Sequence, residues 1–177
     1  MYTYKFERLP ELSRVFDPSL IDKATNSAIG KTARKTRTFI SKNVRQEYTV
    51  KAGDIRKSVG TRIRRPSRTS AALDYKGSTI SLRRFGARKR QVNGRPGVSV
   101  AVKKGQRKVV KGGFSHGNGP IFKRIGRSRL PIEKLFGPSV PQMVSNLQIT
   151  DKTNEFIGFE FPKEFDIAMR FFIGKQR

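Results

Sequence analysis

The chain has 177 residues, with 39 Lys and Arg against 13 Asp and Glu, for a formal net charge of +26. It has no Cys and one His, which excludes a disulfide frame, a thiolate nucleophile and Cys-based or His-rich metal sites. An apolar content of 35% implies a thin core, with partner subunits supplying part of the burial.

The N-terminal arm, residues 1–16, holds Tyr2, Tyr4, Phe6, Leu9 and Pro10. It lacks the apolar stretch of a secretory leader, and no apolar run in the chain approaches the ~20 residues of a membrane helix. Asp17-Pro18 then signals a helix start, an N-cap acid followed by Pro at the first helical position. From there to about Gln46 the chain has no Pro, and Leu20, Ile21, Ala24, Ala28, Phe39, Ile40 and Val44 fall at helical spacing. The polar middle of this helix is expected to be exposed or covered by a neighbour. A short second helix is expected within Lys51–Val59.

Residues 61–125 read as strands. Ala71, Leu73 and Tyr75 alternate with polar residues, Lys76-Gly77-Ser78 signals a turn, and Ile80 and Leu82 alternate again, so a hairpin is expected there. Val98, Val100 and Val102 alternate, Lys104-Gly105 turns the chain into Val109-Val110, and Ile121, Phe122 and Ile125 mark a last strand. Segment 83–96 is too basic and too Gly-rich for a packed element. It is expected to be a long mobile loop or an extended hairpin. Ser139 can cap a helix carrying Val140, Met143, Val144 and Leu147. In the tail, Ile157, Phe161, Phe165, Ala168, Met169 and Phe172 form a helical stripe that Pro162 interrupts, so a kink or two short helices are expected. Residues 1–149 thus read as one α+β domain and residues 150–177 as a Phe-rich helical segment.

Charge is concentrated in the middle of the chain. Residues 55–132 carry 22 basic side chains and one acid, Asp74, whereas residues 133–177 carry six of each. Such a segment cannot neutralise itself and repels itself unless a polyanion lies nearby. The candidate contacts to DNA phosphate, or to an acidic partner, are Arg83, Arg84, Arg88, Lys89, Arg90 and Arg95, continuing through Lys103, Lys104, Arg107, Lys108 and Lys111. Arg suits phosphate because its planar fork bonds two oxygens at once. Nothing in the sequence points to base readout: helix-turn-helix spacing, zinc-finger ligands and an RNP-type aromatic strand are all missing.

Catalytic signals are weak. Gly30-Lys31-Thr32 offers only the end of a phosphate-binding loop, with Thr25 where the earlier Gly would stand. His116 has no orienting partner nearby in sequence, and the carboxylates are not paired. No enzymatic activity, metal or cofactor is expected.

The stretch Arg129–Met143 is the most distinctive. Its sequence Arg-Leu-Pro-Ile-Glu-Lys-Leu-Phe-Gly-Pro-Ser-Val-Pro-Gln-Met, residues 129–143, resembles the signature of the minor tail protein Z family of tailed bacteriophages and prophages. Upstream, Val50–Lys57, Gly97–Gly105 and Ile121–Gly126 resemble, in order, the family's segment after its first long helix, its basic strand and turn, and the strand before the Pro motif. The likeness spans roughly residues 20–145 and leaves the Phe-rich tail uncovered.

The resemblance implies a structural, non-enzymatic virion protein of the phage tail or neck, present in the host cytoplasm during assembly. It would act in tail completion, joining the head-proximal end of the tail to the head. It further implies a ring, hexameric by analogy with tail tubes and terminators, with tail terminator, tail tube or head-connector proteins as neighbours. Double-stranded viral DNA would lie in its channel, and no membrane is involved. The implied fold is α+β, a long N-terminal helix packed on a curved antiparallel sheet, with C-terminal helices.

The subunit or neck interface is then expected at Leu130, Pro131, Ile132, Leu135, Phe136, Gly137, Pro138 and Pro141. A second interface is expected at the stripe Ile157, Phe161, Phe165, Met169 and Phe172, for which intrachain core is the other reading. A ring roughly 40 Å tall encloses only about 24 phosphate charges, at one per ~1.7 Å of duplex. Each copy carries +26, so acidic protein neighbours or solvent must face the remainder. The rival reading is a monomeric basic nucleic-acid-binding protein, ribosome-like or nucleoid-like.

Overall fold

The computed structural model describes residues 17–57, 62–92 and 94–175. The expected N-terminal arm lies outside the described residues, as do positions 58–59 of the expected second helix. The architecture is mixed α+β, with a long helix first, small antiparallel sheets in the middle and helices at the end. Among the described residues no helix is long and apolar enough to cross a membrane.

Asp17 starts helix α1 (Pro18–Glu47) as its sequence suggests. Its carboxylate accepts from the Ser19 amide at 2.9 Å and the Ser19 hydroxyl at 2.9 Å. The Ser19 amide bond first, then that hydroxyl, holds the Asp17 carboxyl below its ordinary range. A short helix α2 (Ala52–Lys57) follows. The strands are β1 (Arg62–Ser67), β2 (Ser70–Asp74), β3 (Thr79–Ser81), β4 (Arg88–Val92), β5 (Arg95–Val100), β6 (Lys108–Val109), β7 (Gly113–Ser115), β8 (Ile121–Arg124), β9 (Ile132–Lys134) and β10 (Phe136–Ser139). Helices α3 (Val140–Val144) and α4 (Leu147–Gly174) complete the chain.

The chain divides into two compact units. The first takes α1 up to Arg37, residues 63–73 and α4 from Lys152 onward. Its apolar centre is Leu20, Ile21, Ala24, Ala168 and Met169, with Phe165 and Phe172 packed against it. The polar middle of α1 is not a solvated face here: Thr25, Thr32 and Thr36 are buried beside Ala24, Ala28 and Ala33. Lys35 reaches two buried carboxylates of α4, bonding Glu160 and, at 2.5 Å, Glu164, while Lys31 stands 3.7 Å from Glu164. Lys31 therefore serves helix pairing. Pro162 sits inside a continuous α4, so of the two expected alternatives, a kink or two short helices, the second does not hold. A proline in a helix interior costs about 3 kcal/mol. Anchors on both sides of it, Glu160 and Phe161 before, Glu164 and Phe165 after, hold the helix across the break.

The second unit runs from Thr38 to Arg62 and from Asp74 to Asp151. Its sheets are ordered β10-β3, β4-β5-β6 and β7-β8-β9. The core gathers Val98, Val100 and Ile121, with Leu82, Ala87, Val102, Val110 and Leu135 against it. Ser99 and Ala101 are buried as well, so β5 and its continuation are covered on both faces. The end of α1 is sewn to that continuation. Thr49 donates its amide to Val102 O at 3.0 Å, and Lys104 donates its amide to Glu47 O at 2.8 Å.

The expected hairpin from Ala71–Tyr75 to Ile80–Leu82 does not form. β2 pairs with β1, and β3 pairs with the distant β10, with Phe136 opposite Ser81 and Ser139 opposite Thr79. Leu82 instead opens a short 3-10 turn, Leu82–Arg84. β1 lies within the range expected to be strands, although Arg64, Arg65 and Pro66 give it no apolar alternation, and Pro is tolerated on an edge strand. Ser139 caps α3 as expected: it accepts from the Gln142 amide, and Gln142 Oε1 accepts from the Ser139 amide at 2.8 Å. Leu147 belongs to α4, so the expected boundary at 149/150 falls inside that helix.

Two outcomes follow. A Cβ at Gly137 would overlap the ring of the fully buried Phe85. Gly137→Ala should destabilise the chain by about 1–3 kcal/mol in a urea titration, the usual cost of overpacking. The second concerns pH. The Lys35 hydrogen bond, working against burial, holds the Glu164 carboxyl below its ordinary value of 4.5. Its stabilisation is complete above that ordinary value and is lost as pH falls through the lowered one. Glu164→Gln should therefore lower the urea midpoint at neutral pH and flatten its decline between neutrality and about pH 3.

Candidate nucleic-acid interface

Within segment 83–96, Arg88–Val92 and the start of Arg95–Val100 form an extended hairpin, the second of the two expected alternatives. β4 and β5 pair antiparallel in continuous register, Arg88 opposite Ser99, Lys89 opposite Val98, Arg90 opposite Gly97 and Gln91 opposite Pro96. Gly94, at φ +72, lies in the turn, a conformation that favours glycine. Side chains alternate along a strand, so Arg88 and Arg90 share one face and Lys89 and Gln91 the other. All four are exposed. Among the described residues β4 is an edge strand, paired only with β5.

The sequence-predicted cations divide into two groups. Four are engaged within the chain. Arg83 Nη2 donates to Asn118 Oδ1 at 2.9 Å, and Arg84 pairs with Asp54. Lys103 lies 3.3 Å from Glu47. Arg107 Nη1 donates to the carbonyls of Gly86 at 2.9 Å and Ser99 at 3.3 Å. The others project outward. Arg88, Lys89, Arg90, Lys104, Lys108 and Lys111 are exposed, and no carboxylate among the described residues pairs with them. Arg95 lies on β5 within the same hairpin.

A shallow groove of about 380 Å³ runs beside the hairpin, lined by Lys89, Arg90, Pro96, Gly97, Phe114 and Ser115. The Arg124 guanidinium lies 5.1 Å from the Phe114 ring centre, adding a further cation at this end. The arrangement can neutralise a string of phosphates. His116 is an exposed turn residue whose carbonyl accepts from the Gly119 amide at 2.9 Å. Among the described residues no group of three or more His, Asp or Glu side chains is placed to hold a metal ion.

The expected interface residues also divide. Leu130, Pro131, Ile132 and Phe136 are exposed, with Leu130 at 65% and the Lys134 ammonium 5.1 Å from the Phe136 ring centre. Leu135 packs on the core, Gly137 abuts Phe85, and Pro138 and Pro141 are half-buried. In α4, Phe161 and Met169 are buried, Phe165 and Phe172 pack on the α1 cluster, and Ile157 is half-buried. The chain itself covers most of that stripe. The apolar side chains α4 leaves exposed are others, Leu147, Phe159, Ile167, Phe171 and Ile173. The spacing of Phe159, Ile167 and Phe171, eight and then four residues, is the sequence signal that could have found them.

No family model, curated protein or solved structure matches this chain.

The split among the cations is measurable. Arg107→Gln removes donors to two backbone carbonyls and should cost about 1.5–3 kcal/mol, the range for hydrogen bonds from charged groups. Arg88→Ser, on an exposed edge, should stay within about 0.5 kcal/mol of wild type in the same urea titration.

Proposed function

We propose that this chain is a structural, non-enzymatic protein of a phage tail or neck that assembles as a ring and holds duplex DNA through backbone phosphates. The observation that carries the DNA contact is the β4–β5 hairpin, with three successive outward cations, Arg88, Lys89 and Arg90, and no acid facing them. The tail assignment rests on the likeness at Arg129–Met143. Support for assembly comes from that same stretch, where Leu130, Ile132 and Phe136 stay exposed although apolar. A monomeric ribosome-like or nucleoid-like protein has less reason to present them.

Phosphate contact suits a ring around a duplex. Each copy meets the helix at a different phase, and contact to phosphate tolerates the mismatch where fixed base contacts would not. Binding is then indifferent to sequence and falls with salt, with a logarithmic slope of about −0.9 per phosphate neutralised on B-DNA.

Replacing Arg88, Lys89 and Arg90 together with Ser should make that slope shallower by about 2–3, at roughly 0.9 per lost contact. The mass of the assembled particle, measured at low and high salt, should not change. An unaltered slope would remove the hairpin from the DNA path and assign its charge to an acidic protein neighbour. A monomeric mass at every salt concentration would favour the ribosome-like or nucleoid-like reading.

A further inference from the structure

A second basic site lies within the same unit. An open cleft of about 840 Å³ is lined by five cations, Arg45, Lys51, Arg83, Arg84 and Lys104, and by one acid, Asp54. Two of these cations, Arg45 at the end of α1 and Lys51 just before α2, lie outside the basic middle segment and had no signal in the charge pattern. We infer that this cleft is a preorganised seat for a backbone phosphate of nucleic acid. This rests on reading the neighbouring hairpin as a phosphate-contacting surface.

Three features argue for it. The first is charge. Asp54 is buried and taken by Arg84, so the remaining four lining cations have no further acid among the described residues that line the cleft. The second is preorganisation. Arg45 Nε donates to Ser41 O at 3.2 Å, Arg83 to Asn118 Oδ1 at 2.9 Å, and Arg84 to Asp54. A guanidinium has five N–H donors, so each stays able to bind an oxyanion while its position is already fixed. Groups held in place before binding lose less entropy when the ligand arrives.

The third feature is continuity. Gly86 and Ala87 line the cleft, and Arg88 begins β4, so cleft and hairpin follow each other along one stretch of chain. A ligand that spans both must carry negative charge at repeated intervals, as a nucleic-acid strand does. Among the described residues no aromatic side chain lines the cleft, so they offer forks for phosphate and no platform for a base.

The test uses the full chain and a duplex of arbitrary sequence. The cleft variant is Arg45→Gln with Lys51→Gln and Lys104→Gln, three exposed positions. Its control is Lys23→Gln with Lys152→Gln and Lys163→Gln, the same charge change at exposed positions of α1 and α4. The cleft variant should bind about tenfold more weakly at moderate salt and show a slope shallower by about 1–2, at roughly 0.9 per phosphate. The control should stay within about twofold of wild type, the effect of a change in the general field alone. The double variant Lys51→Gln with Lys104→Gln keeps the Arg45 bond and gives the same reading should the triple fail to fold.

If cleft and control variants weaken binding equally, the effect is general charge and the seat is disproved. If the cleft variant binds like wild type while the hairpin variant does not, the seat is disproved and the DNA reading stands. If wild type ignores duplex but binds polyglutamate, both fall and an acidic protein is the partner.

Discussion

The structure is organised around a charge that cannot be balanced from within. Residues 55–132 hold 22 basic side chains and one acid. Asp54 and Glu47, which pair with Arg84 and Lys103, are supplied from outside that segment. Three of the five carboxylates of the C-terminal helix are committed elsewhere: Glu160 and Glu164 hold Lys35 in the first unit, and Asp166 pairs with Arg170 within α4. Glu47, Asp54, Glu160 and Glu164 thus join elements, and Arg88, Lys89, Arg90, Lys104, Lys108 and Lys111 are left exposed. A folded chain tolerates such repulsion when the charges are dispersed on exposed strands, and a bound polyanion relieves it.

This constraint shapes the sheets. An edge strand presents unpaired backbone groups to any other strand, and charge along it discourages pairing. β4 is an edge strand with three cations in a row, so the same residues that suit phosphate also repel β4 of another copy. β9 is the contrasting edge. It is exposed throughout, carries Ile132, Glu133 and Lys134, and has exposed Leu130 and Phe136 close on either side in sequence. The two edges are chemically suited to different neighbours, one anionic and one apolar. That contrast supports a division of labour between DNA contact and assembly.

Legibility in the sequence followed the range of the interactions. Local signals were readable: Asp17-Pro18 opens α1, Ser139 with Gln142 caps α3, and Val98 and Val100 mark the strand at the core. Elements fixed by distant partners were not. β3 waits for β10, more than fifty residues later, so Ile80 was assigned to the wrong hairpin. The small polar residues of α1 gave no sign that Thr25, Thr32 and Thr36 are buried. Periodicity found the stripe of α4 but not its partner, since an apolar face looks the same whether it meets its own chain or another. The basic residues of the site were legible as a group. Which of them serve the fold was not, because Arg107 is distinguished from Arg88 only by carbonyls brought to it by β5 and Gly86.

The most direct test of the claim that the outward cations serve a polyanion is a lysine-reactivity footprint of the full chain with and without duplex DNA. Acetylation rates at Lys89, Lys104, Lys108 and Lys111 should fall on DNA binding, while those at the equally exposed Lys23, Lys152 and Lys163 stay constant. Unchanged rates at the first four, or equal protection at all seven, would contradict it.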